Sequence, residues 1–471
     1  MAKDSIPKYF IENWNIEEDE NFDVEYVDAK QFLTAQRIDL VCKLIYIDSK
    51  VKSQNKEFAK ELYIEHLRAF SMGTFIEPSN PEKNSIEKYL AEFDYLIDTC
   101  QSGLTHLKSV VPVGEDGNIL DGAHRTAIAI YFNIRLPIIR IPNITVNYDY
   151  RHFMFYGLKQ VYLDYISYNF LLWKDKVYIA CLWPVANTKE GISHVETIIA
   201  EKANIYYKKE VALTYQGICN IMAHTYGHQR WSGNALNGFS GIPPKAKACY
   251  KRYSSSVFYI LYDADLEIIK DIKTAVRDYF QLSNHSIHIT DTKEEALFLG
   301  KEILNDNSID LINYGYPFKY TSFVKNFFLF RSAIDDSDLN FDDCVLDSSS
   351  VLALYGIRDN CMIQYCTNVE SGIIDTNAYK KCSESFFIQN HDLSIDSLIY
   401  NPKNYLFFWG IKFISLDLSY ALLKRKNKPK RVQDIKLIEL FMKKRNCQMH
   451  SKSILSRVKK ILRQFVLKSK F

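Results

Sequence analysis

Apolar positions along this chain switch repeatedly between a spacing of three or four residues and short unbroken or alternating runs. The first spacing marks amphipathic helices, the second strands. Over residues 1–150 the pattern predicts helices at Arg37–Ile47, Lys56–Phe70 and Ser85–Ile97. A strand at Val110–Val113, a turn at Glu115-Asp116-Gly117-Asn118 and a second apolar piece at Ile119-Leu120 follow, then a helix at Thr126–Phe132 and a strand at Leu136–Ile141.

From 151 to 335 strands at Val177–Pro184, Ala203–Leu213, Val257–Leu261, Ser286–Ile289 and Ile309–Asn313 are interleaved with helices at Tyr215–Tyr226, Leu266–Phe280 and Lys293–Leu304. Strands alternating with helices of this length predict a parallel α/β sheet with right-handed crossovers, whose ligands collect beyond the carboxyl ends of the strands. Residues 336–450 form a third stretch and 451–471 a last helix. The expected fold class is therefore α/β, a mixture of α/β and α+β parts, in a multidomain chain divided at about residues 150, 335 and 450. A length of 471 residues accommodates roughly two to four domains.

Composition narrows the function classes. The apolar fraction of 47% supports sizeable cores, and a net charge of +3 is too small to mark the whole chain as a nucleic-acid binder. Nucleic acid is not an expected partner. The ten cysteines form no CxxC pair and no His/Cys run with zinc spacing, as expected of reduced thiols in a cytoplasmic protein. The first residues, MAKDSIPKYF, lack a secretion signal, and no apolar run is long enough to span a bilayer.

The densest chemistry lies at Asp121-Gly122-Ala123-His124-Arg125, where strand gives way to helix. First-turn amides of a helix have no intrahelical acceptor and carry the positive end of its dipole, so an anion is stabilised there. Gly122, Ala123, Arg125 and Thr126 are the candidate phosphate-binding residues, Gly122 by close backbone approach and Arg125 as a two-pronged donor. Asp121 and His124 are candidates to move a proton, and Asp121 to hold Mg²⁺. Helix capping alone is the competing explanation. Upstream, Glu77 in Gly73-Thr74-Phe75-Ile76-Glu77-Pro78 is the candidate general base, against a solvated loop carboxylate. Arg37, Lys43 and Lys83 are further phosphate candidates or surface charges.

Helix, strand, glycine turn, strand, Asp-Gly-x-His-Arg, helix, strand resembles the ParB/sulfiredoxin-like fold over about 80 residues. Within it the motif is similar to that of a free-serine kinase, which places Asp-Gly-x-His-Arg at the nucleotide phosphates. A sulfinic-acid reductase of this fold carries a cysteine where Ala123 stands, and no helix-turn-helix follows Pro142. The resemblance thus implies a nucleotide-dependent phosphotransferase using a nucleoside di- or triphosphate and Mg²⁺. The alternatives are a nucleotide-gated binding protein and, less favoured, a ParB-like DNA-binding protein.

Two polar runs lie in the middle stretch. His224, His228, Arg230, Trp231 and Asn234 are residue types that grip a sugar or phosphosugar, and equally those of a tryptophan-anchored structural loop. His224 and His228 share a face only if their helix persists past Gly227. His285, His288, Asp291 and Glu294 suit either a metal or sugar site or simple capping of the next helix by Thr290, Asp291 or Thr292.

In the third stretch, Asp347-Ser348-Ser349-Ser350, a helix, Gly356-Ile357-Arg358-Asp359 and a strand resemble the nucleotidyltransferase superfamily that includes choline-phosphate transferases of the LicD kind. Active members carry two carboxylates at alternate strand positions, here Met362 and Gln364, so the resemblance implies a degenerate domain unless Asp347 and Asp359 substitute. Lys452, Arg457, Lys459, Lys460, Arg463, Lys468 and Lys470 cover one face of the final helix, suiting either peripheral contact with an anionic membrane or docking on the protein itself. The combination of parts resembles proteins of bacterial capsule and O-antigen gene clusters, which implies surface-polysaccharide biosynthesis.

Overall fold

A computed structural model describes residues 22–77, 80, 82–103, 109–370, 372–382, 393–426 and 431–447, together with Glu12 and Trp14. The basic helix expected at 451–471, with its membrane contact, lies outside the described residues. The fold is mixed α/β and divides into two compact units: unit 1 holds residues 1–178, 203–207 and 260–265, and unit 2 holds 179–202, 208–259 and 266–471. The limit expected near 150 therefore falls near Tyr178, and no division occurs at 335. Helices on one side of that position and strands on the other share a core, in which Leu311, Phe323, Phe327 and Phe330 pack with Val345, Leu346, Phe408 and Phe413.

Unit 1 is built on helices α1 (Ile38–Lys52), α2 (Lys56–Phe70), α3 (Ile86–Gln101) and α4 (Ala123–Tyr131), followed by α5 (Tyr150–Phe155) and α6 (Gln160–Trp173). Its sheet has the order β1 (Glu25–Asp28), β3 (Arg135–Arg140), β2 (Val111–Val113), with β3 antiparallel to β1 and parallel to β2. Helix α1 is buried from Ile38 to Ile47, carries Asp39 in its first turn and Lys50 and Lys52 in its last, and packs against α4. That charge order complements the helix dipole. After β2 the chain turns at Gly114–Asn118 and returns, the Leu120 amide donating to the Pro112 carbonyl at 2.8 Å. This return delivers Asp121 and Gly122 to the start of α4.

Unit 2 contains helices α7 (Lys189–Ala200), α8 (Tyr215–Tyr226), α9 (Ile242–Cys249), α10 (Leu266–Phe280) and α11 (Lys293–Ile303). A four-stranded sheet has the order β5 (Asn204–Val211), β6 (Ser256–Tyr262), β4 (Val177–Leu182), β7 (Ile287–Ile289). Strand β7 runs antiparallel to β4, so the expected all-parallel sheet is corrected at that edge. The expected strand Ile309–Asn313 is also corrected: it lies within helix α12 (Asp306–Tyr314). Asn305 caps that helix by accepting from the Ser308 amide at 2.9 Å, and Ser308, Leu311, Ile312 and Asn313 are its buried positions, a spacing that does not alternate as a strand's would.

Helix α13 (Thr321–Asp335) then leads to a five-stranded sheet of order β10 (Tyr379–Lys381), β9 (Ile363–Thr367), β8 (Cys344–Leu346), β12 (Ile411–Ile414), β11 (Tyr405–Phe408), with α14 (Ser348–Leu354), α15 (Ile395–Tyr400) and α16 (Leu416–Lys426). Trp409 and Gly410 join β11 to β12 with φ of 49° and 81°, the left-handed pair that a two-residue hairpin turn requires. Among the described residues no helix is long and apolar enough to cross a membrane.

Candidate functional site

The Asp-Gly-Ala-His-Arg motif of unit 1 opens into a cleft of about 370 Å³. Gly122 is the N-cap of α4 in the left-handed region, at φ 77° and ψ 29°, and offers no side chain to the helix. The first intrahelical bond runs from the Thr126 amide to the Gly122 carbonyl at 2.9 Å. The amides of Ala123, His124 and Arg125 therefore meet no acceptor among the described residues. All three residues line the cleft. Thr126 itself is buried, and its hydroxyl is spent on the Gly122 carbonyl at 3.0 Å, so this candidate phosphate ligand acts in helix closure instead.

Arg125 is not a free fork. Its Nη1 donates to the Ser109 and Val110 carbonyls at 3.0 and 3.2 Å and to the Ser109 hydroxyl, and its Nη2 stands 3.8 Å from Asp121 Oδ2. The side chain folds back over Gly122, where an added Cβ would lie 2.8 Å from Nη2 and 2.9 Å from Val111 Cγ2. Gly122 is thus required twice, by its backbone angle and by the guanidinium above it. Asp121 lines the cleft beside that guanidinium.

His124 turns its Nε2 to the Tyr63 hydroxyl at 2.7 Å, and its ring packs edge-on to Phe93 at 4.5 Å. Burial, reinforced by the charges of Lys43 and Lys83, pushes its pKa well below the usual histidine range. It is a neutral imidazole at physiological pH, suited to orienting or accepting rather than to supplying positive charge.

Glu77 is held more firmly than its loop position suggests. Its amide donates to the Lys83 carbonyl at 2.9 Å, its carbonyl accepts from Asn80 at 3.1 Å, and its carboxylate lies 3.5 Å from Lys83 Nζ. Lys83 also reaches Glu92 at 3.0 Å and stands over the Tyr89 ring at 4.4 Å. Tyr89, hydrogen-bonded to Glu77, has its hydroxyl pKa raised by burial and by that carboxylate.

The far wall is a buried triad. Arg37 binds Asp39 through Nε and Nη2, each at 2.8 Å, and Lys43 reaches the same carboxylate at 3.1 Å. Arg37, Lys43 and Lys83 are 3%, 4% and 8% exposed, which overturns the expectation of surface charges. His66, 1% exposed on α2, also lines the cleft, and burial drives its pKa well down. Asp39 and His66 were not singled out from sequence. The available signal was an Asp39–Lys43 pair four residues apart in a helical stretch, Ile38–Ile47, that is otherwise apolar all round, a placement that solvated charges avoid.

The cleft's four cations, Arg37, Lys43, Lys83 and Arg125, face four carboxylates, Asp39, Glu77, Glu92 and Asp121. Their formal charges cancel. No three His, Cys, Asp or Glu side chains converge as a ready metal site among the described residues. A Mg²⁺ that arrives with phosphates needs only one or two protein carboxylates, which Asp121 and Glu77 can provide.

The second candidate group, in unit 2, is dispersed. Helix α8 ends at Tyr226, so His224 and His228 do not share a continuous helical face. His224 is buried with its Nδ1 3.0 Å from Glu302 Oε1, while His228 is exposed. Both line an apolar cavity of about 340 Å³ with Phe298 and Trp409. Asn234 is a cap rather than a ligand: its side chain accepts from the Leu236 and Asn237 amides at 2.9 and 3.1 Å. Arg230 is exposed, and Trp231 stands beside a different cavity. Thr292 caps α11 through the Glu295 amide at 3.2 Å, and the Glu295 carboxylate returns to the Asp291 amide at 2.8 Å, the reciprocal arrangement of a capping box displaced by one residue.

In the 344–414 sheet, Asp347 caps α14 by accepting from the Ser350 amide and hydroxyl at 3.2 and 3.1 Å. Asp359 accepts from the Asn360 amide at 2.8 Å and from the Ser322 hydroxyl. Both carboxylates carry structural bonds. Comparison with protein-family descriptions, characterised proteins and solved structures finds no match for this chain.

Proposed function

We propose that unit 1 is a ParB/sulfiredoxin-like nucleotide-dependent phosphotransferase acting on a small hydroxyl compound or sugar, in the cytoplasm and in bacterial surface-polysaccharide biosynthesis. The observation that carries this reading is the set of three acceptor-less amides at Ala123, His124 and Arg125, residues that line a cleft together with Glu77 and Asp121. Helix-start amides bind phosphate oxygens without a charged partner, which suits a motif whose arginine is already occupied. In this reading Asp121, beside the helix start, would hold Mg²⁺. When bound, Mg²⁺ supplies the positive charge that the balanced cleft lacks. Glu77 is the proton acceptor for the incoming hydroxyl, oriented by Lys83 and Tyr89. His124, fixed by Tyr63, orients the phosphate chain as a neutral ring.

The test combines binding with turnover. Thermal shift with ATP, ADP and CTP, with and without Mg²⁺, should raise the melting point by a mass-action stabilisation of about 2.7 kcal/mol at a hundredfold excess over Kd. Phosphate transfer to serine and simple sugars is then followed by labelled nucleotide. Absence of any nucleotide-induced shift overturns the reading. Binding without transfer favours the nucleotide-gated binding protein, a second reading supported by the anchoring of Arg125 on Ser109 and Val110.

For residues 336–450 the same proposal assigns a degenerate nucleotidyltransferase-like role in binding a substrate or partner. Support comes from Met362 and Gln364 at the positions that resemblance expects to be acidic, and from the structural bonds of Asp347 and Asp359.

A further inference from the structure

The loop 229–241 of unit 2 is held in a shape that a general sequence would not adopt. Gly233 sits at φ 89° and ψ −146°, a region open to glycine alone, and a Cβ on Gly241 would stand 1.8 Å from the Trp231 carbonyl oxygen. Asn234 and Asn237 cap each other between these glycines. The product of this fixed geometry is an indole left 44% exposed, with its Nε1 donating to Gln229 Oε1 at 2.5 Å. A rigid loop that presents an aromatic face to solvent is preorganised for a ring-shaped partner.

Beside that face opens a cavity of about 700 Å³ lined by Lys245, Lys273, Arg277, His285, His288 and Asp291. Asp291, the one carboxylate of the lining, is already bonded to Lys273 at 2.7 Å. Lys245 donates to the Asn284 carbonyl at 3.3 Å and stands over the Tyr226 ring at 5.1 Å, neither of them an anion, and the buried Nε of Arg277 meets no acceptor in the described structure. Two cations thus share a cavity with no anion for either. Burial and the Arg277 charge push the Lys245 pKa down, burial and Lys245 do the same to His285, and His288 is lowered to about 3. Each depression is relieved when an anion enters.

We propose that this pocket binds a sugar phosphate, with the phosphate on Arg277 and Lys245 and the sugar ring against Trp231. A guanidinium and an ammonium together match a phosphate's oxygens, and an indole face is the usual partner for the apolar side of a sugar ring. The site belongs to unit 2 and is independent of the nucleotide reading of unit 1.

Calorimetric titration of the full chain with glucose 1-phosphate, glucose and inorganic phosphate tests it. Glucose 1-phosphate should bind roughly tenfold tighter than inorganic phosphate, and glucose alone should not register. Arg277→Ala should weaken it by about tenfold or more, with Lys245→Ala as the second variant should the first lose its fold. Trp231→Ala should erase the advantage over inorganic phosphate. Unaltered affinity for glucose 1-phosphate in both cation variants, or an advantage over inorganic phosphate that survives in Trp231→Ala, overturns the proposal.

Discussion

Arg37 and Asp39 meet through two N–H···O bonds of 2.8 Å while only 3% and 1% exposed. Lys43 completes the group, and Arg37 Nη1 donates onward to the Ile119 carbonyl, two residues before Asp121. The triad therefore ties the start of α1 to the segment that delivers the motif. Removing one member of a buried charge group strands the others, at a cost of about 3–5 kcal/mol. Asp39→Asn should lower unfolding free energy by that order in urea titration. The cations hold the Asp39 carboxyl far below the usual carboxylate range, so its contribution is complete above about pH 4 and is lost only as pH falls further. In Asp39→Asn the acid limb of the stability profile below that pH should flatten.

His66 predicts a second, milder pH dependence. It is buried and neutral, with the charges of Arg37 and Lys43 pressing its pKa down and Asp39 opposing them. The unfolded chain takes up this proton at about pH 6.5 and the folded one does not, so stability falls as pH drops below that value, by at most about 1.4 kcal/mol per pH unit. His124 adds a contribution of the same sign. The melting point of wild type should fall between pH 7.5 and 5.5, and that of His66→Phe, whose ring suits neighbours Phe70 and Phe153, should fall less. Equal slopes for the two proteins would remove His66 from the account.

These two groups also show what a sequence yields and what it withholds. The helices near 38–52, 56–70 and 86–101 and the strand-turn-strand before Asp121 are legible because period, capping and turn residues are local. So is the motif's place at a helix start. The destination of Arg37, Lys43 and Lys83 is not local: their burial is set by helices and loops as far apart in the chain as Arg37 and Tyr148, all converging on one cleft. Likewise Arg125 has the chemistry of a phosphate fork, yet the carbonyls that occupy it come from Ser109 and Val110, which only the folded turn brings near. Ile309–Asn313 fails differently, since a five-residue segment with three apolar positions fits either period until its cap at Asn305 is recognised.

Gly122 carries a prediction that separates folding from binding. Gly122→Ala imposes a left-handed alanine, worth about 1–2 kcal/mol, and drives its Cβ into Arg125 and Val111. The guanidinium is the flexible partner, so it should yield and disturb the helix entrance. A loss of roughly 1–3 kcal/mol in stability is expected, with nucleotide affinity falling by more than the accompanying Arg125→Ala variant shows. Calorimetry on both variants checks it, and an unchanged nucleotide affinity in Gly122→Ala would detach the helix start from the ligand.

Asp347 reverses the sign seen at Asp39. Burial raises its pKa, with bonds from Ser349 and Ser350 offsetting only part of that cost, so the ionised carboxyl is less favourable in the fold than in the unfolded chain. Its contribution is greatest below the usual carboxylate range and is lost as pH rises through the folded pKa. A neutral amide avoids burying the charge and keeps an acceptor for Ser350, since asparagine is as good a helix cap as aspartate. Asp347→Asn should therefore lie within about 1 kcal/mol of wild type at pH 7, whereas Asp347→Ala should lose about 1–2 kcal/mol with the cap. Chemical denaturation of the pair at pH 7 distinguishes them, and the same proteins assayed for nucleotidyl transfer decide the residue's role. A cap predicts that Asp347→Asn changes neither stability nor any such activity; abolition of activity in a stable Asp347→Asn protein would make this carboxylate a metal ligand after all.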